Sequence, residues 1–317
     1  GWLLFKAVFN AGHALRKATK TSQINAEAKC PFRLLAWRAF AKPEGNVAAR
    51  RIQVPETRPD AAKSRRTPIV FLASQTRAAQ EARAELVARY GDTPLAQAGV
   101  IVALGGDGFM LETLHATQAR DVPVYGMNRG TVGFLMNSFE LDDLPARLVA
   151  AQETTLNPLA MTAIDSDGVV HEALAINEVS LLREGPQAAR LKISVDGRVR
   201  MEELVCDGAL VATPAGSTAY NYSAHGPILP IGADVLAMTA VAAFRPRRWR
   251  GALLPKSAVV RFDVLEAEKR PVMAEGDGQS VRDVVSVEVR SESAVRHRLL
   301  FDPGHGLEER LIREQFF

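Results

Sequence analysis

The sequence predicts an α/β fold: a Rossmann-like N-terminal domain with a parallel sheet, followed by a β-rich, sandwich-like C-terminal domain. Apolar runs alternate with helical segments between about residues 68 and 135, a pattern typical of a parallel sheet covered by helices on both faces. Beyond about residue 157, strands follow one another through tight turns, as in antiparallel sheets. We place the two domains at residues 67–156 and 157–303, and expect residues 304–317 to form a helix that packs back on the first domain.

Strands and helices alternate in the first domain. Buried strands are predicted at 69–72, 100–104 and 122–127, because their apolar runs match strands covered on both faces. An Ala-rich helix at 76–90 ends at Gly91, and a second helix at 109–118 follows a tight turn at 105–108. Ligands in such folds bind at the carboxyl ends of the strands.

The strands of the second domain are predicted from alternating apolar and polar side chains and from turn residues. Residues 191–195 alternate apolar and polar side chains, and Asp196-Gly197 is a strong hairpin turn before a return strand at 199–201. Further strands are predicted at 209–213, 259–264 and 285–289, and an amphipathic helix at 307–317.

Composition excludes several classes of protein. The chain has 317 residues, of which 47% are apolar and 24% charged, as in an ordinary globular protein. No apolar run reaches the ~18 residues of a membrane-spanning helix, so we expect no membrane partner. The two cysteines, Cys30 and Cys206, are too few for a disulfide scaffold or a Cys-based zinc site. A reducing compartment, the cytoplasm, fits best.

Basic charge is concentrated in residues 1–66. This segment holds 14 Lys and Arg against 4 Asp and Glu, which leaves 25 against 32 for the remainder of the chain. Because the folded part is acidic, we expect no nucleic-acid partner. Disorder is the main expectation for this leader. A transit peptide, a tail that binds nucleic acid or anionic lipid, and translated upstream sequence are alternatives, and we assign the leader no function. Deleting residues 1–65 is expected to leave activity and stability intact.

The first chemical motif is Gly105-Gly106-Asp107-Gly108, directly after a predicted strand. Glycines there let backbone N–H groups approach phosphate oxygens at a helix N-terminus. A carboxylate would repel phosphate, so Asp107 indicates either a bridging cation or a proton acceptor for an attacking hydroxyl. Simple capping of the helix by Asp107 is the alternative. No Walker-type motif occurs, and no G-x-G-x-x-G follows the first strand, which weighs against an NTPase of that class and a dehydrogenase.

A second group of motifs suits a nucleoside. Residues 126–135 form another glycine-rich turn, and Asn177-Glu178 follows an apolar run. In the block 206–223 a buried strand ends in Thr213-Pro214, and small or hydroxylated residues then precede Tyr220. Small side chains leave room for a base on which an aromatic ring can stack. An ordinary helix N-cap and an exposed hairpin are the alternatives for this block and for the pair.

Together these motifs resemble the NAD kinase family, a branch of the superfamily that includes diacylglycerol kinases and phosphofructokinases. The resemblance covers about residues 68–289 and implies ATP-dependent phosphorylation of the 2′-hydroxyl of the adenosine ribose of NAD, which gives NADP. It implies that Asp107 accepts the proton of that hydroxyl. It also implies Mg²⁺ or another divalent cation, and a homo-oligomer in which Asp207 reaches a neighbouring subunit's site.

The resemblance also implies a set of nucleotide contacts. In this sequence they are Asp107, Gly108, Asn177, Glu178, Asp207, Ala215, Thr218, Ala219, Tyr220, Asn221, Tyr222, Ser223 and Gln279. The chain departs from the family's pattern at Ala215, where threonine is common, and at Gly278, where histidine or serine is common. Gly278 has no side chain that could assist Gln279.

Two other functions are weighed against a kinase acting on NAD. A lipid kinase could use the same glycine turn, but the folded part shows no interfacial helix and the polar block at 213–223 suits a dinucleotide better. A nucleotide-sensing module would not need an acid or base facing the phosphates. The sequence does not distinguish ATP from polyphosphate as donor, or NAD from NADH as acceptor.

Overall fold

The computed structural model describes residues 67–131, 133–314 and 316. The predicted leader at 1–66 therefore lies outside the described residues, as does Val132 of the second glycine-rich turn. No helix in these described ranges is both long and apolar enough to span a bilayer.

Seventeen strands and five helices, with two short 3₁₀ turns, build the described part of the chain. The strands are β1 (Ile69–Ala73), β2 (Val100–Gly105), β3 (Val124–Asn128), β4 (Gln152–Leu156), β5 (Leu159–Asp165), β6 (Val170–Ala175), β7 (Glu178–Arg183), β8 (Ala189–Val195), β9 (Arg198–Cys206), β10 (Gly208–Ala212), β11 (Val235–Val241), β12 (Gly251–Pro255), β13 (Val260–Val264), β14 (Val272–Gly276), β15 (Gln279–Val281), β16 (Val284–Ser291) and β17 (His297–Phe301). The helices are α1 (Arg77–Tyr90), α2 (Asp107–Thr117), α3 (Leu144–Ala150), α4 (Tyr220–Ser223) and α5 (Leu307–Glu314), with short 3₁₀ turns at Leu95–Gln97 and Ala215–Thr218.

The first sheet has the order β1-β2-β3-β17-β4. Strands β1, β2, β3 and β17 are parallel, and β4 runs antiparallel to β17. Leu299 and Phe301 of β17 are fully buried in the same cluster as Ile101. The expected boundary at residue 303 is therefore wrong, because β17 belongs to the first sheet and the β-rich domain is built by β5 to β16.

Helices cover both faces of the first sheet, as predicted. Leu86 of α1 packs with Val100 and Val102 on one face, whereas Met110 and Leu114 of α2 pack with Ile101 on the other. Alternate side chains of β2 thus enter two different clusters, which explains why the whole strand is buried and its sequence is continuously apolar.

Helix α2 begins earlier than the sequence suggested. We expected a turn at 105–108, but Asp107 and Gly108 already lie in the first helical turn, with Gly106 as the N-cap. The four amide groups that open a helix have no partner within it, so an acidic residue in the first turn is favoured. The carboxylate of Asp107 therefore lies at the positive end of the α2 dipole.

Two six-stranded antiparallel sheets form the β-rich domain. Their orders are β12-β11-β10-β7-β14-β15 and β6-β5-β16-β13-β8-β9. Leu181 of β7 and Val211 of β10, from one of these two sheets, share an apolar cluster with Leu191 of β8 and Phe262 of β13 from the other. The predicted hairpin turn is confirmed, since Asp196 and Gly197 both have positive φ angles, of 50° and 71°.

The C-terminal helix contacts the first domain through Arg310. Its Nη1 donates to the carbonyl oxygens of Gly133, Phe134 and Met136 at 3.1, 2.8 and 2.5 Å. The guanidinium also lies over the ring of Phe301. These contacts hold α5 against the segment that follows β3, and the N–H groups of the same segment bind the carboxylate of Asp107.

Candidate functional site

The carboxylate of Asp107 is held by the backbone of the segment after β3. Its Oδ2 accepts the N–H of Phe134 at 2.7 Å, and its Oδ1 accepts the N–H of Leu135 at 2.8 Å. Each oxygen keeps further lone-pair capacity, since an ionised carboxylate accepts about four hydrogen bonds. The side chain is thus fixed in direction and still able to accept a proton from a bound hydroxyl.

Burial raises the pKa of Asp107 above its ordinary value, because a charged carboxylate is poorly solvated there. The two backbone N–H groups and the nearby positive charge of Arg310 oppose this shift. A raised pKa makes the carboxylate a stronger base than an exposed aspartate. This is the direction that proton abstraction near neutral pH requires.

A second carboxylate joins helix α2 to the start of β7. Oδ2 of Asp277 lies 2.8 Å from Nε2 of His115 and 2.5 Å from the N–H of Ile176, and its Oδ1 accepts the N–H of Asn177 at 3.2 Å. Its side chain is only 3% exposed. Asp277 therefore fixes the backbone that presents Asn177-Glu178 and connects it to the helix that begins at Asp107.

Thr213 links the Asn177-Glu178 pair to the predicted nucleoside block. Its N–H donates to the carbonyl oxygen of Asn177 at 2.9 Å, and its hydroxyl donates to that of Ile176 at 2.8 Å. The same hydroxyl accepts the N–H of Gly216 at 3.0 Å. Two segments about 37 residues apart in sequence are thereby held side by side.

Gly216 is the point of closest approach between these segments. A Cβ at this position would lie 2.2 Å from the carbonyl oxygen of Asn177 and 2.6 Å from its Cα. Since both atoms are backbone, only glycine fits here without moving one segment.

Glu178 is an acid buried among other acids. Burial raises its pKa to about 8, and the negative charges of Asp277 and Glu275 add to the shift, while the N–H of Tyr220 opposes it. Its Oε2 is buried and has no hydrogen-bond partner in the part of the chain that the structure describes, although the residue as a whole is partly exposed. Such an atom is costly unless a ligand or water satisfies it.

Replacing Glu178 with glutamine is expected to stabilise the protein at alkaline pH. Because the folded pKa is raised, the folded state favours the protonated acid, and that contribution is present below pH 4.5 and lost as the pH rises through about 8. The melting temperature of Glu178→Gln should exceed that of the wild type at pH 8.5 and approach it at pH 5. Glu172→Gln, at an exposed position on β6, is the control with no pH-dependent difference. An equal difference at both pH values for Glu178→Gln would contradict the burial of this charge.

The predicted block 215–223 divides into exposed and internal positions. Thr218, Ala219 and Tyr220 are partly exposed, and Tyr222 and Ser223 are exposed. Ala215 is buried in the cluster that also contains Met110 and Ile176. The alternative of an ordinary N-cap is not observed: among the described residues, no side chain caps the 3₁₀ turn or α4, and the hydroxyl of Ser217 instead donates to the carbonyl oxygen of Pro214 and accepts the N–H of Leu229.

Asn221 is part of the framework rather than of the accessible surface. It is 0% exposed, its Nδ2 donates to the carbonyl oxygens of Ser217 and Pro227, and its Oδ1 accepts from the hydroxyl of Thr239. These bonds hold the side-chain amide within the fold, and the assignment of Asn221 as a nucleotide-binding position stays a prediction.

Asp207 and Gln279 lie at the margins of this network. Asp207 precedes β10, at the end opposite Thr213, and its Oδ1 forms an ion pair with Nε of Arg183 at 2.6 Å. Its charge still acts on Tyr220, whose pKa is raised first by burial and then by Glu178, Asp207 and Glu275. Gln279 is exposed on β15, two residues beyond Asp277.

Three contributors were missed from the sequence. His115, Asp277 and Arg310 act through contacts that span 100 or more residues, and no local pattern marks them. The one available signal is the Asp277-Gly278 turn, whose φ angles of 44° and 90° are typical of a two-residue hairpin turn.

Comparison with known families agrees with this geometry. The family model "ATP-NAD kinase N-terminal domain" matches residues 51–151, and "ATP-NAD kinase C-terminal domain" matches residues 176–291. The first match begins inside the segment that we assigned to the leader. Two domains of one enzyme family thus cover both halves of the site, and the lipid-kinase alternative is not favoured.

Curated relatives and solved structures point the same way. An NAD kinase of Cereibacter sphaeroides is 75% identical over 248 residues, 78% of this chain and 98% of the relative. An NAD kinase of Caulobacter vibrioides is 60% identical over 250 residues, 79% of this chain and 96% of the relative. Two solved structures share the fold. Yeast NADH kinase complexed with NADH matches with a TM-score of 0.66 and 21% identity, over 79% of this chain and 87% of that one. An NAD kinase from Archaeoglobus fulgidus in complex with ATP matches with a TM-score of 0.63 and 22% identity, over 78% of this chain and 97% of that one. The chain belongs to the NAD kinase family and is an enzyme with that activity.

Proposed function

We propose that the protein transfers the γ-phosphoryl group of ATP to the 2′-hydroxyl of the adenosine ribose of NAD, and that Asp107 accepts the hydroxyl proton. The observation that carries this proposal is the position of the Asp107 carboxylate. It lies at the carboxyl end of β2, is fixed by two backbone N–H groups, and has a pKa raised by burial. A group so placed suits proton abstraction better than phosphate binding.

The proposed step forms one bond to the γ-phosphorus and breaks another. A bond forms between the ribose 2′-oxygen and the γ-phosphorus, and the bond from that phosphorus to the β,γ-bridging oxygen breaks. ADP carries away the electron pair, and the 2′-hydroxyl proton passes to Asp107. In reactions of this kind, catalysis is mainly positioning and charge stabilisation. The N–H groups of Phe134 and Leu135 fix the carboxylate of Asp107, and this contributes to positioning the base against the 2′-hydroxyl of NAD.

We assign the adenosine part of NAD to Asn177 and Glu178, with Ala215 and the residues from Thr218 to Ser223 beside it. The contact of Gly216 with Asn177 supports this grouping, as does the N–H of Tyr220 on Glu178. The unpartnered Oε2 of Glu178 is a polar group that a bound hydroxyl or base edge could satisfy. Asn221 contributes by shaping the turn.

A divalent cation is proposed to enter with ATP rather than to reside in the protein. No group of three or more His, Cys, Asp or Glu side chains that could hold a metal ion occurs among the described residues. Mg²⁺ is commonly held through substrate phosphates and water with only one or two carboxylates. It would neutralise phosphate charge that Asp107 otherwise repels.

A homo-oligomer in the cytoplasm completes the proposal. Asp207 lies away from Asp107 in sequence and is partly exposed, which leaves it able to approach a neighbouring subunit's nucleotide. With only two cysteines, the chain suits a reducing compartment.

The activity is tested with the full chain, ATP, Mg²⁺ and NAD, and NADP is detected by a dehydrogenase that accepts only the phosphorylated form. NADP should accumulate with time and only when ATP or polyphosphate is present, and parallel reactions with NADH and diacylglycerol define the acceptor. Phosphorylation of the lipid but not of NAD, or tight NAD binding without any NADP, would overturn the proposal.

A further inference from the structure

Helix α2 carries a polar residue at each end that faces the site. Asp107 opens the helix, and His115 lies in its last turn. The two residues are eight positions apart in the helix, so about 12 Å along its axis separates the backbone of the proposed base from that of this histidine. His115 therefore cannot share the proton step with Asp107, and its contribution must come through another group.

That other group is Asp277. Its carboxylate receives three donors: Nε2 of His115 at 2.8 Å, and the N–H groups of Ile176 and Asn177 at 2.5 and 3.2 Å. The two amides come directly before β7, so the same carboxylate holds the helix and the backbone from which Asn177 and Glu178 project. The carboxylate is 3% exposed and the imidazole 22%, which makes the contact nearly dry.

The ring of His115 is oriented by its neighbours. An ionised carboxylate only accepts hydrogen bonds, so Nε2 of His115 must carry the proton that faces Asp277. His297 of β17 lies edge-to-face against the ring, with the centroids 6.1 Å apart. The apolar contact of Met110 and Leu114 with Ile176 brings the helix close but does not fix its register against β7. The polar contact supplies that register.

We propose that His115 is a positioning residue for NAD, which sets the place of Asn177 and Glu178 relative to Asp107 through its hydrogen bond to Asp277. This inference rests on the proposed function, because it takes that pair to hold the adenosine of NAD. Loss of the hydrogen bond would let the backbone at residues 176–178 shift and would weaken NAD binding. The chemical step at Asp107 would be affected much less once NAD is bound.

A matched pair of variants tests this. The amide nitrogen of glutamine extends about as far from the backbone as Nε2 of histidine, whereas that of asparagine stops near Nδ1. His115→Gln can therefore still donate to Asp277, and His115→Asn cannot. The Kd for NAD, measured by calorimetry without ATP, should rise about tenfold in His115→Asn, equivalent to ~1.4 kcal/mol, and less than about threefold in His115→Gln. The KM for NAD should follow, with kcat at saturating NAD little changed.

Two results would overturn the inference: an unchanged Kd in a folded His115→Asn protein, or equal losses in both variants. If His115→Asn fails to fold, His115→Gln still decides, because a folded glutamine variant with a Kd raised tenfold contradicts the role of the donor. Failure of the proposed base is separable, since Asp107→Asn would then keep its turnover while His115→Asn still weakened NAD binding.

Discussion

Replacing Asp107 with asparagine is expected to lower kcat by about 10²-fold or more, the usual loss when a general base is removed. The KM for NAD should change little, because the adenosine contacts proposed at Asn177, Glu178 and Tyr220 are left in place. A loss of this kind, in kcat and in kcat/KM together, marks an interaction made in the transition state only. Steady-state kinetics with NAD and MgATP varied separately would measure both constants.

This substitution also disturbs a loop, which calls for a control. An asparagine offers one oxygen and one amide group, so the N–H of Phe134 or of Leu135 would face a donor and lose its acceptor. An unsatisfied buried donor costs about 1–3 kcal/mol. Arg310→Lys keeps the positive charge and loosens the same loop, because one ammonium replaces an Nη1 that donates to three carbonyl oxygens. If Arg310→Lys lost as much kcat as Asp107→Asn, the carboxylate would act only by holding the loop.

The pH dependence of kcat gives an independent check on Asp107. The base works only when ionised, and burial raises its pKa above the ordinary aspartate value. The rate of the wild type should therefore fall as the pH is lowered through that raised pKa. The residual rate of Asp107→Asn should lack this acidic limb. An unchanged limb in the variant would assign the titration to another group.

Replacing Gly216 with alanine is expected to raise the KM for NAD about tenfold or more and to lower the melting temperature. The new Cβ would lie 2.2 Å from the carbonyl oxygen of Asn177 and 2.4 Å from its carbonyl carbon. Real Cβ atoms do not approach backbone so closely, so either the 3₁₀ turn or the Asn177-Glu178 segment has to move. Both are proposed to hold the nucleoside, and the hydroxyl of Thr213 would lose its bond to the N–H of Gly216.

Gly185→Ala is the matched control for this prediction. No heavy atom lies within 4 Å of a Cβ built at Gly185, so alanine fits there without displacing anything. Thermal unfolding and NAD kinetics of the two variants should differ sharply. Wild-type kinetics and stability in Gly216→Ala would contradict the close packing of the two segments.

Local sequence patterns predicted the elements better than their arrangement. The continuous apolar run of β2 identifies a strand buried on both faces, and Asp196-Gly197 identifies a hairpin turn. The position of β17 in the first sheet was not predictable, because Leu299 pairs with Val124 across 175 residues and no local sequence pattern indicates which strand it pairs with. Sheet pairing over such a distance depends on the whole topology.

The same division holds within the site. Asp107 stands in a motif whose residue types indicate its chemistry, and the family resemblance adds Asn177 and Glu178. His115, by contrast, resembles any helical histidine until Asp277 is found beside it. The surroundings of Asn221 were likewise not predictable. The resemblance implies that this residue is a nucleotide-binding position, but its side-chain partner Thr239 comes 18 residues later on β11, and no local pattern marks that bond.

A crystal structure of the protein with bound NAD tests the proton-transfer role of Asp107 most directly. The ribose 2′-oxygen should lie about 2.6–3.2 Å from a carboxylate oxygen of Asp107, within hydrogen-bond distance. The adenosine should contact Asn177 and Glu178. A ribose bound at these residues with its 2′-oxygen turned away from Asp107 and blocked from reaching it would contradict the assignment of the base.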